Sequence, residues 1–244
     1  MEDIKLEKKI LESVKQTVPY PRITLLIPAL NEEKNLPHVL PKIPLMVDQV
    51  LLVDGLSTDR TNELAKELYP DIKIVKQDGR GKGNAVQAGI KNATGDIVVM
   101  IDADGSMNPQ EIPLLVEAIE NGADFVKGSR FIKGGGTTDM GPSRQVANKF
   151  FVLLVNTLFG GKYTDLCYGY CAFRLDAIRK MDIKSNGFEV ETEINVKALK
   201  SGLKIIEVPS FEKKRIYGVG KLRSFPDGWR IFKTILRLRF SKNS

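Results

Sequence analysis

Residues 97–106 read Ile97-Val98-Val99-Met100-Ile101-Asp102-Ala103-Asp104-Gly105-Ser106. The run opens with five apolar residues, four of them β-branched, which is too short for a helix and suits a strand buried on both faces. It then stops on two carboxylates one residue apart, followed by a glycine. Working outward, the same kind of apolar run occurs at Ile23–Ile27, Val50–Val53 and Ile72–Val75. Helix-like stretches near 58–69, 83–92 and 110–121 separate the runs. Strand and helix alternating at this spacing predict an α/β fold, a doubly wound, mostly parallel sheet flanked by helices. Thr58 and Asp59 are expected to cap the helix near 58–69. Asn108-Pro109 reads as a cap followed by proline in the first turn.

Beyond residue 125 the alternation loosens. Lys133–Gly136 reads as a flexible loop, 143–159 and 188–201 as helices, and 170–174 and 204–211 as strands. No linker and no internal repeat divides the chain, so a single domain is expected over residues 22–224. Residues 1–21 precede it as a helical extension, with Ile4, Ile10, Leu11, Val14 and Val18 roughly on one side and Pro19 and Pro21 ending it. A basic amphipathic helix over 225–244 follows it.

Of 244 residues, 42% are hydrophobic and 27% charged, a globular balance that excludes a disordered or fibrous protein. The longest apolar run, Phe150–Val155, is far short of the roughly 20 residues that span a bilayer. The first residues mix both charge signs without an apolar core, unlike a signal peptide, so a cytoplasmic protein is expected. Cys167 and Cys171 cannot build a disulfide scaffold and lack the partners of a zinc site. His38 is the sole histidine, which argues against Ser-His or Cys-His nucleophilic chemistry. The net charge of +7 is concentrated: Glu212–Ser244 holds ten Lys/Arg and two acids, leaving the preceding residues at −1. A basic tail points to an anionic partner such as membrane lipid, nucleic acid or a phosphorylated substrate. The absence of a base-reading motif disfavours nucleic acid.

Ligands of open α/β sheets bind outside the carboxyl ends of the strands. Here those ends are followed by Pro28-Ala29-Leu30-Asn31-Glu32-Glu33, by Asp54-Gly55-Leu56-Ser57-Thr58-Asp59, and by Asp102-Ala103-Asp104-Gly105-Ser106. Acids recurring along one edge favour a bound cation, or the hydroxyls and amides of a sugar and a base. Asp102 and Asp104 suit a hard cation, Mg²⁺ or Mn²⁺, shared with a diphosphate, with Ser106 adding a hydroxyl or orienting a water. Gly79-Arg80-Gly81-Lys82-Gly83 fits neither the phosphate-loop nor the dinucleotide glycine pattern. Two readings stand for it: a tight turn opening a helix, or a loop that brings Lys82 to a donor.

Taken together, P-A-L-N-E-E, V-D-G-L-S-T-D-R-T and D-A-D-G-S, in that order, resemble the family-2 glycosyltransferases of the GT-A fold. The resemblance is to the dolichyl- and polyprenyl-phosphate mannosyl- and glucosyltransferase branch and covers about residues 22–224. It continues through G-R-G-K-G (79–83), G-S-R (128–130), S-R (143–144), T-D-L-C-Y-G-Y (164–170), G-F-E-V-E-T-E (187–193) and Y-G-V-G-K-L (217–222). The resemblance implies that Pro28, Ala29, Asn31, Glu32 and Asp54 hold base and ribose. It implies that Asp102, Ala103 and Asp104 hold the metal and diphosphate, and that Arg130 and Arg144 hold the acceptor phosphate. Arg215 and Lys221 would close over the phosphates. Ser106 stands where the mannosyl enzymes often carry Gln, and T-D-L-C-Y-G-Y replaces the usual D-P-x-S-G-F.

The expected reaction is an inverting transfer of a hexose from a UDP-, GDP- or dTDP-linked donor to a polyprenyl phosphate, by a protein peripheral on the cytosolic face of an anionic membrane. A soluble or glycan hydroxyl acceptor is the alternative, with Asp165, Glu191 and Glu193 as candidate bases. A non-catalytic nucleotide-sugar binder or membrane adaptor is a second. The apolar and basic segment with Trp229, Phe232, Ile235, Leu236 and Phe240 near helical spacing reads either as an interfacial helix or as one docked on the core. Phe150–Phe159 poses the same choice.

Overall fold

The structure is a computed structural model that describes residues 20–221 and 223–241. The helix expected within residues 1–18 lies outside the described residues. The elements are β1 (Ile23–Ala29), α1 (Leu36–Val39), β2 (Gln49–Asp54), α2 (Thr61–Leu68), β3 (Lys73–Lys76), α3 (Lys82–Asn92), β4 (Ile97–Met100) and α4 (Ile112–Glu120). Then follow β5 (Phe125–Ser129), β6 (Gly136–Thr137), α5 (Pro142–Phe159), β7 (Cys171–Arg174), α6 (Leu175–Lys180), α7 (Val190–Lys200), β8 (Ile205–Pro209), β9 (Phe211–Glu212) and α8 (Ser224–Phe240).

Seven strands form the main sheet in the order β3-β2-β1-β4-β7-β5-β8, and β6 pairs with β9 apart from it. Only β7 runs against its neighbours β4 and β5; the other pairings are parallel. The alternation of apolar residues along each strand feeds two cores. Leu25, Ile27, Val50 and Leu52 pack on one face with α1 and α4. Leu26, Leu51, Val53 and Val98 pack on the other with α3, α5, α7 and α8. Covering both faces is why the strands read as unbroken apolar runs. From β1 the chain crosses to β2 on one side and, later, to β4 on the other. This leaves a crevice at the carboxyl ends, where Ala29 lies in register with Asp54.

Several expectations need adjustment. Helix α2 starts at Thr61, after Arg60, and neither Thr58 nor Asp59 caps it; Asp59 instead accepts the Thr61 amide at 3.0 Å, closing the turn before the helix. The expected cap at Asn108 is present, its side chain accepting from the Gln110 amide at 3.2 Å ahead of a short 3-10 turn. Strand β5 breaks the expected loosening after residue 125: all five of its residues are buried, and the strand sits between β7 and the edge strand β8. The expected strand at 204–211 is two, β8 and β9, serving different sheets. Helix α8 packs on α5 and α7, with Ile231, Ile235 and Leu238 in the core.

Candidate active site

An open cleft of about 270 Å³ lies at the carboxyl ends of β1, β2 and β4. It gathers Pro28, Ala29 and Glu32 from the end of β1 and Asp102, Ala103, Asp104 and Ser106 from the end of β4. Lys82 enters at the start of α3, Arg144 in the first turn of α5, and Arg215 and Lys221 from the segment after β9.

Charges of opposite sign alternate across the cleft. The Lys82 ammonium sits 2.5 Å from Asp102 Oδ1 and 2.7 Å from Glu191 Oε1. Arg215 donates through Nη2 to Asp104 Oδ2 at 2.6 Å. Lys221 reaches Glu32 Oε1 at 2.9 Å and also donates to the Leu30 carbonyl. Asp104 is further braced by the Ser106 amide, which donates to its Oδ1 at 2.9 Å. Desolvation on the cleft floor pushes the Asp102 carboxyl up to about 6; Lys82 opposes this, while Asp104 and Glu191 add to it. Burial alone would lower the Lys82 ammonium, but Asp102 and Glu191 outweigh it and raise it.

The glycines around Lys82 explain its placement. Gly81, at φ +93°, precedes α3 in a conformation that favours glycine. A Cβ on Gly83 would lie 2.0 Å from the Ser185 carbonyl oxygen, and the Gly83 amide donates to the Asn186 carbonyl at 2.8 Å. The tight-turn reading of G-R-G-K-G holds, and the turn places Lys82 in the wall of the cleft.

Three expected site residues do not line the cleft. Asn31 is exposed, at φ +53°, and its side chain accepts from the Thr58 amide at 2.8 Å. Asp54 is buried, and its two oxygens accept from the Ser57 amide and from Asn62 Nδ2, both at 2.9 Å. Arg130, expected to grip an acceptor phosphate, is instead locked behind the cleft wall with its side chain 1% exposed. It donates to both Asp165 oxygens at 2.6 and 2.8 Å, to Glu212 at 3.0 Å and to the Cys167 carbonyl at 3.1 Å. Arg144 is the freer arginine: among the described residues its ion pair is with Asp139, at 3.8 Å, and its side chain is 37% exposed.

Of the three candidate bases, only Glu191 faces the cleft. Asp165 is held by Arg130, and Glu193 is buried where it accepts from the Lys184 and Ser185 amides and pairs with Lys197 at 2.8 Å. Cys167 lines the cleft, and burial pushes its thiol up to about 12, which keeps it in the thiol form near neutral pH. Gln77, Tyr168 and Gly169 also line the cleft and were not singled out by sequence reasoning. Gln77 was findable: it follows β3, and the strand-end rule that found Asp54 and Asp102 applies to it equally.

Residues 24–182 match Glycosyl transferase family 2. A dolichol-phosphate mannosyltransferase of Pyrococcus furiosus is 33% identical over 83% of this chain, which spans 59% of that protein's length. A polyprenol monophosphomannose synthase of Mycolicibacterium smegmatis is 32% identical over 84% of this chain and 82% of its own. Among solved structures, glucosyl-3-phosphoglycerate synthase from Mycobacterium tuberculosis, in complex with Mn²⁺, UDP and glucosyl-3-phosphoglycerate, superposes with a TM-score of 0.73 at 23% identity, covering 97% of this chain and 85% of that one. That likeness is one of fold, the GT-A arrangement of sheet and helices. With the family pattern spanning most of the sheet and relatives of this identity matched along most of the chain, the protein belongs to glycosyl transferase family 2 and is a glycosyltransferase.

Proposed function

We propose that the protein transfers a hexose, with inversion, from a nucleotide diphosphate sugar (UDP-, GDP- or dTDP-linked) to a polyprenyl phosphate at the cytosolic face of an anionic membrane. The observation that carries this reading is the cleft itself. Carboxylates suited to a cation stand at one sheet edge, Lys82 and Arg215 pair with them, and Arg144 stands on α5 in the same cleft. The named relatives act on polyprenyl phosphates by their names, which supports the acceptor class.

The donor set fits Mg²⁺ or Mn²⁺. Asp102 and Asp104 are hard oxygen donors on one loop, and among the described residues no group of three or more Asp, Glu, His or Cys side chains is arranged to hold a metal ion by itself. Such a cation takes one or two carboxylates from the protein and the rest of its shell from diphosphate and water. Asp102 and Asp104 would hold it, with Ser106 bracing the loop; when bound, it offsets charge on the departing diphosphate.

On donor arrival, Lys82, Arg215 and Lys221 exchange their carboxylate partners for diphosphate oxygens, while Pro28, Ala29 and Glu32 line the nucleoside end. Asn31, Asp54 and Arg130 support the walls rather than contact the donor. An acceptor phosphate is already largely ionised, its second pKa being ~6, so it needs positioning rather than a base. Arg144 and the amino-terminal turn of α5 supply that positioning. A hydroxyl acceptor is the second reading, favoured by the presence of Glu191 in the cleft as a base.

The test is nucleotide diphosphate release from a panel of UDP-, GDP- and dTDP-sugars with Mg²⁺ or Mn²⁺, with and without a short polyprenyl phosphate. Release that requires both the cation and the lipid, and disappears in Asp104→Asn, is expected. Lipid-independent release with a sugar alcohol would move the reaction to a hydroxyl acceptor, and no release with any donor would overturn the reading.

A further inference from the structure

Helix α8 has two opposite apolar faces. Ile231, Ile235 and Leu238 point into the core, joined by the buried Thr234. Phe225, Trp229 and Phe240 form an exposed stripe on the outward side, with half-buried Phe232 and Leu236 between them, spaced four, three, four and four residues apart; Phe232 also packs against the core edge. Phe225 is 92% exposed, Trp229 57% and Phe240 80%. Neighbouring α5 repeats the arrangement: Phe151 and Val155 are buried, while Val146, Phe150 and Leu153 stand exposed on the other side. The two helices pack together, and Gly228 of α8 comes close to the Phe151 ring. Val219, also exposed, belongs to the segment whose Gly220 and Lys221 line the cleft. Large apolar side chains in contiguous array on a soluble surface mark an interaction site.

Charge identifies the occupant. Helices α5 and α8 carry Arg144, Lys149, Arg230, Lys233, Arg237 and Arg239 against a single acid, Asp227. That acid is buried and engaged by the Arg223 amide at 2.7 Å and by Arg230 at 3.3 Å, so it offers no negative charge outward. Lys233 lies over the Trp229 ring at 5.4 Å, placing a cation at the border of the stripe. Aromatic rings flanked by cations, without exposed carboxylates, match the headgroup boundary of an anionic leaflet. Among the described residues no helix is long and apolar enough to cross a membrane.

We infer that the outward faces of α5 and α8 form a bilayer-docking surface, which lies flat on an anionic leaflet and turns the cleft mouth toward the lipid headgroups. The inference deepens the polyprenyl-phosphate reading and rests on it for its purpose. A lipid acceptor could then enter the cleft by its phosphate while its chain stays in the leaflet.

The chain's sole tryptophan, Trp229, lies in the stripe and reports on it directly. The full chain would be mixed with phosphatidylcholine vesicles, or with vesicles holding about 30% phosphatidylglycerol. Flotation and Trp229 emission would be followed in each. The expected result is flotation and a blue shift with the anionic vesicles only, both weakened by about 0.5 M NaCl. The triple variant Phe225→Ser, Phe240→Ser, Leu153→Ser keeps Trp229 and should lower partitioning by about a thousandfold, since each lost side chain is worth roughly tenfold. Unshifted emission without flotation would overturn the inference. So would a dimer by light scattering that shields Trp229 and is dissolved by the triple variant, because the stripe would then be a self-association face. Neither readout uses a sugar donor. Flotation without transfer would count against the proposed reaction alone, and transfer to a detergent-dispersed lipid without flotation against the docking surface alone.

Discussion

Replacing Arg130 by Met should unfold the protein before it disables a binding step. The Arg130 guanidinium makes four hydrogen bonds, three of them to the buried carboxylates of Asp165 and Glu212. It also stacks 4.5 Å from the Tyr168 ring. Methionine keeps much of the apolar stem but leaves two carboxylates uncompensated, with Asp165 0% and Glu212 7% exposed. Breaking a buried ion pair from one side costs about 3–5 kcal/mol. For a chain of this size that corresponds to a melting temperature lower by about 6–20 °C. Arg144→Met is the contrasting variant: its ion pair with Asp139, at 3.8 Å, is partly exposed, and a melting temperature within about 2 °C of the parent is expected. Scanning calorimetry of the two variants beside the parent, with acceptor KM measured for any that stay folded, separates the roles. An Arg130→Met protein that melts with the parent and loses only acceptor affinity would refute the assignment of Arg130 to the wall. Arg130→Lys should fall between, because an ammonium restores the charge but not the two-pronged geometry.

Lys82→Met should lower nucleotide diphosphate affinity roughly tenfold or more in calorimetric titration with Mn²⁺, the loss expected for a charge-assisted hydrogen bond; unchanged affinity would remove Lys82 from the donor site. Gly83→Ala forces a methyl against the Ser185 carbonyl, so urea unfolding should show a loss of about 2–3 kcal/mol from displacement of α3. Burial opposes ionisation of Glu193, but Lys197 and Ser185 outweigh it and hold its carboxyl below the ordinary range. A lowered folded pKa contributes stability that is present above the unfolded value of ~4.3 and lost as pH falls through the folded one. Parent and Glu193→Gln should therefore differ by about 2 kcal/mol at pH 7 and converge as the pH is taken down below about 4; a gap independent of pH would contradict the sign.

Much of the fold was legible because local pattern and tertiary role agreed. In β1, β2 and β4 both faces are covered, so burial writes itself into the sequence as apolar runs ending on acids. Strand β5 was missed for a converse reason. Its Phe125-Val126-Lys127-Gly128-Ser129 is interrupted by a lysine that reads as solvent-facing, yet Lys127 is 1% exposed and donates to the Tyr168 carbonyl across the sheet. No local pattern announces a buried lysine whose partner lies 41 residues away.

The site divides along the same line. Sequence alone determined the acids at the strand ends, the loop that carries Lys82, the basic tail and the family they resemble. Only the tertiary structure decided which charges meet: that Asp165 and Glu212 claim Arg130 while Arg144 keeps a partly exposed place in the cleft, and that Glu191 alone of three candidate carboxylates faces the cleft. It also sorted the tail helix, sending Ile235 to the core and leaving Trp229 and Phe240 outside, where periodicity had placed them together. The physical reason is that burial and charge pairing are properties of neighbours in space. A helical repeat fixes which residues share a face, but what lies against that face is set by chain segments far away in sequence.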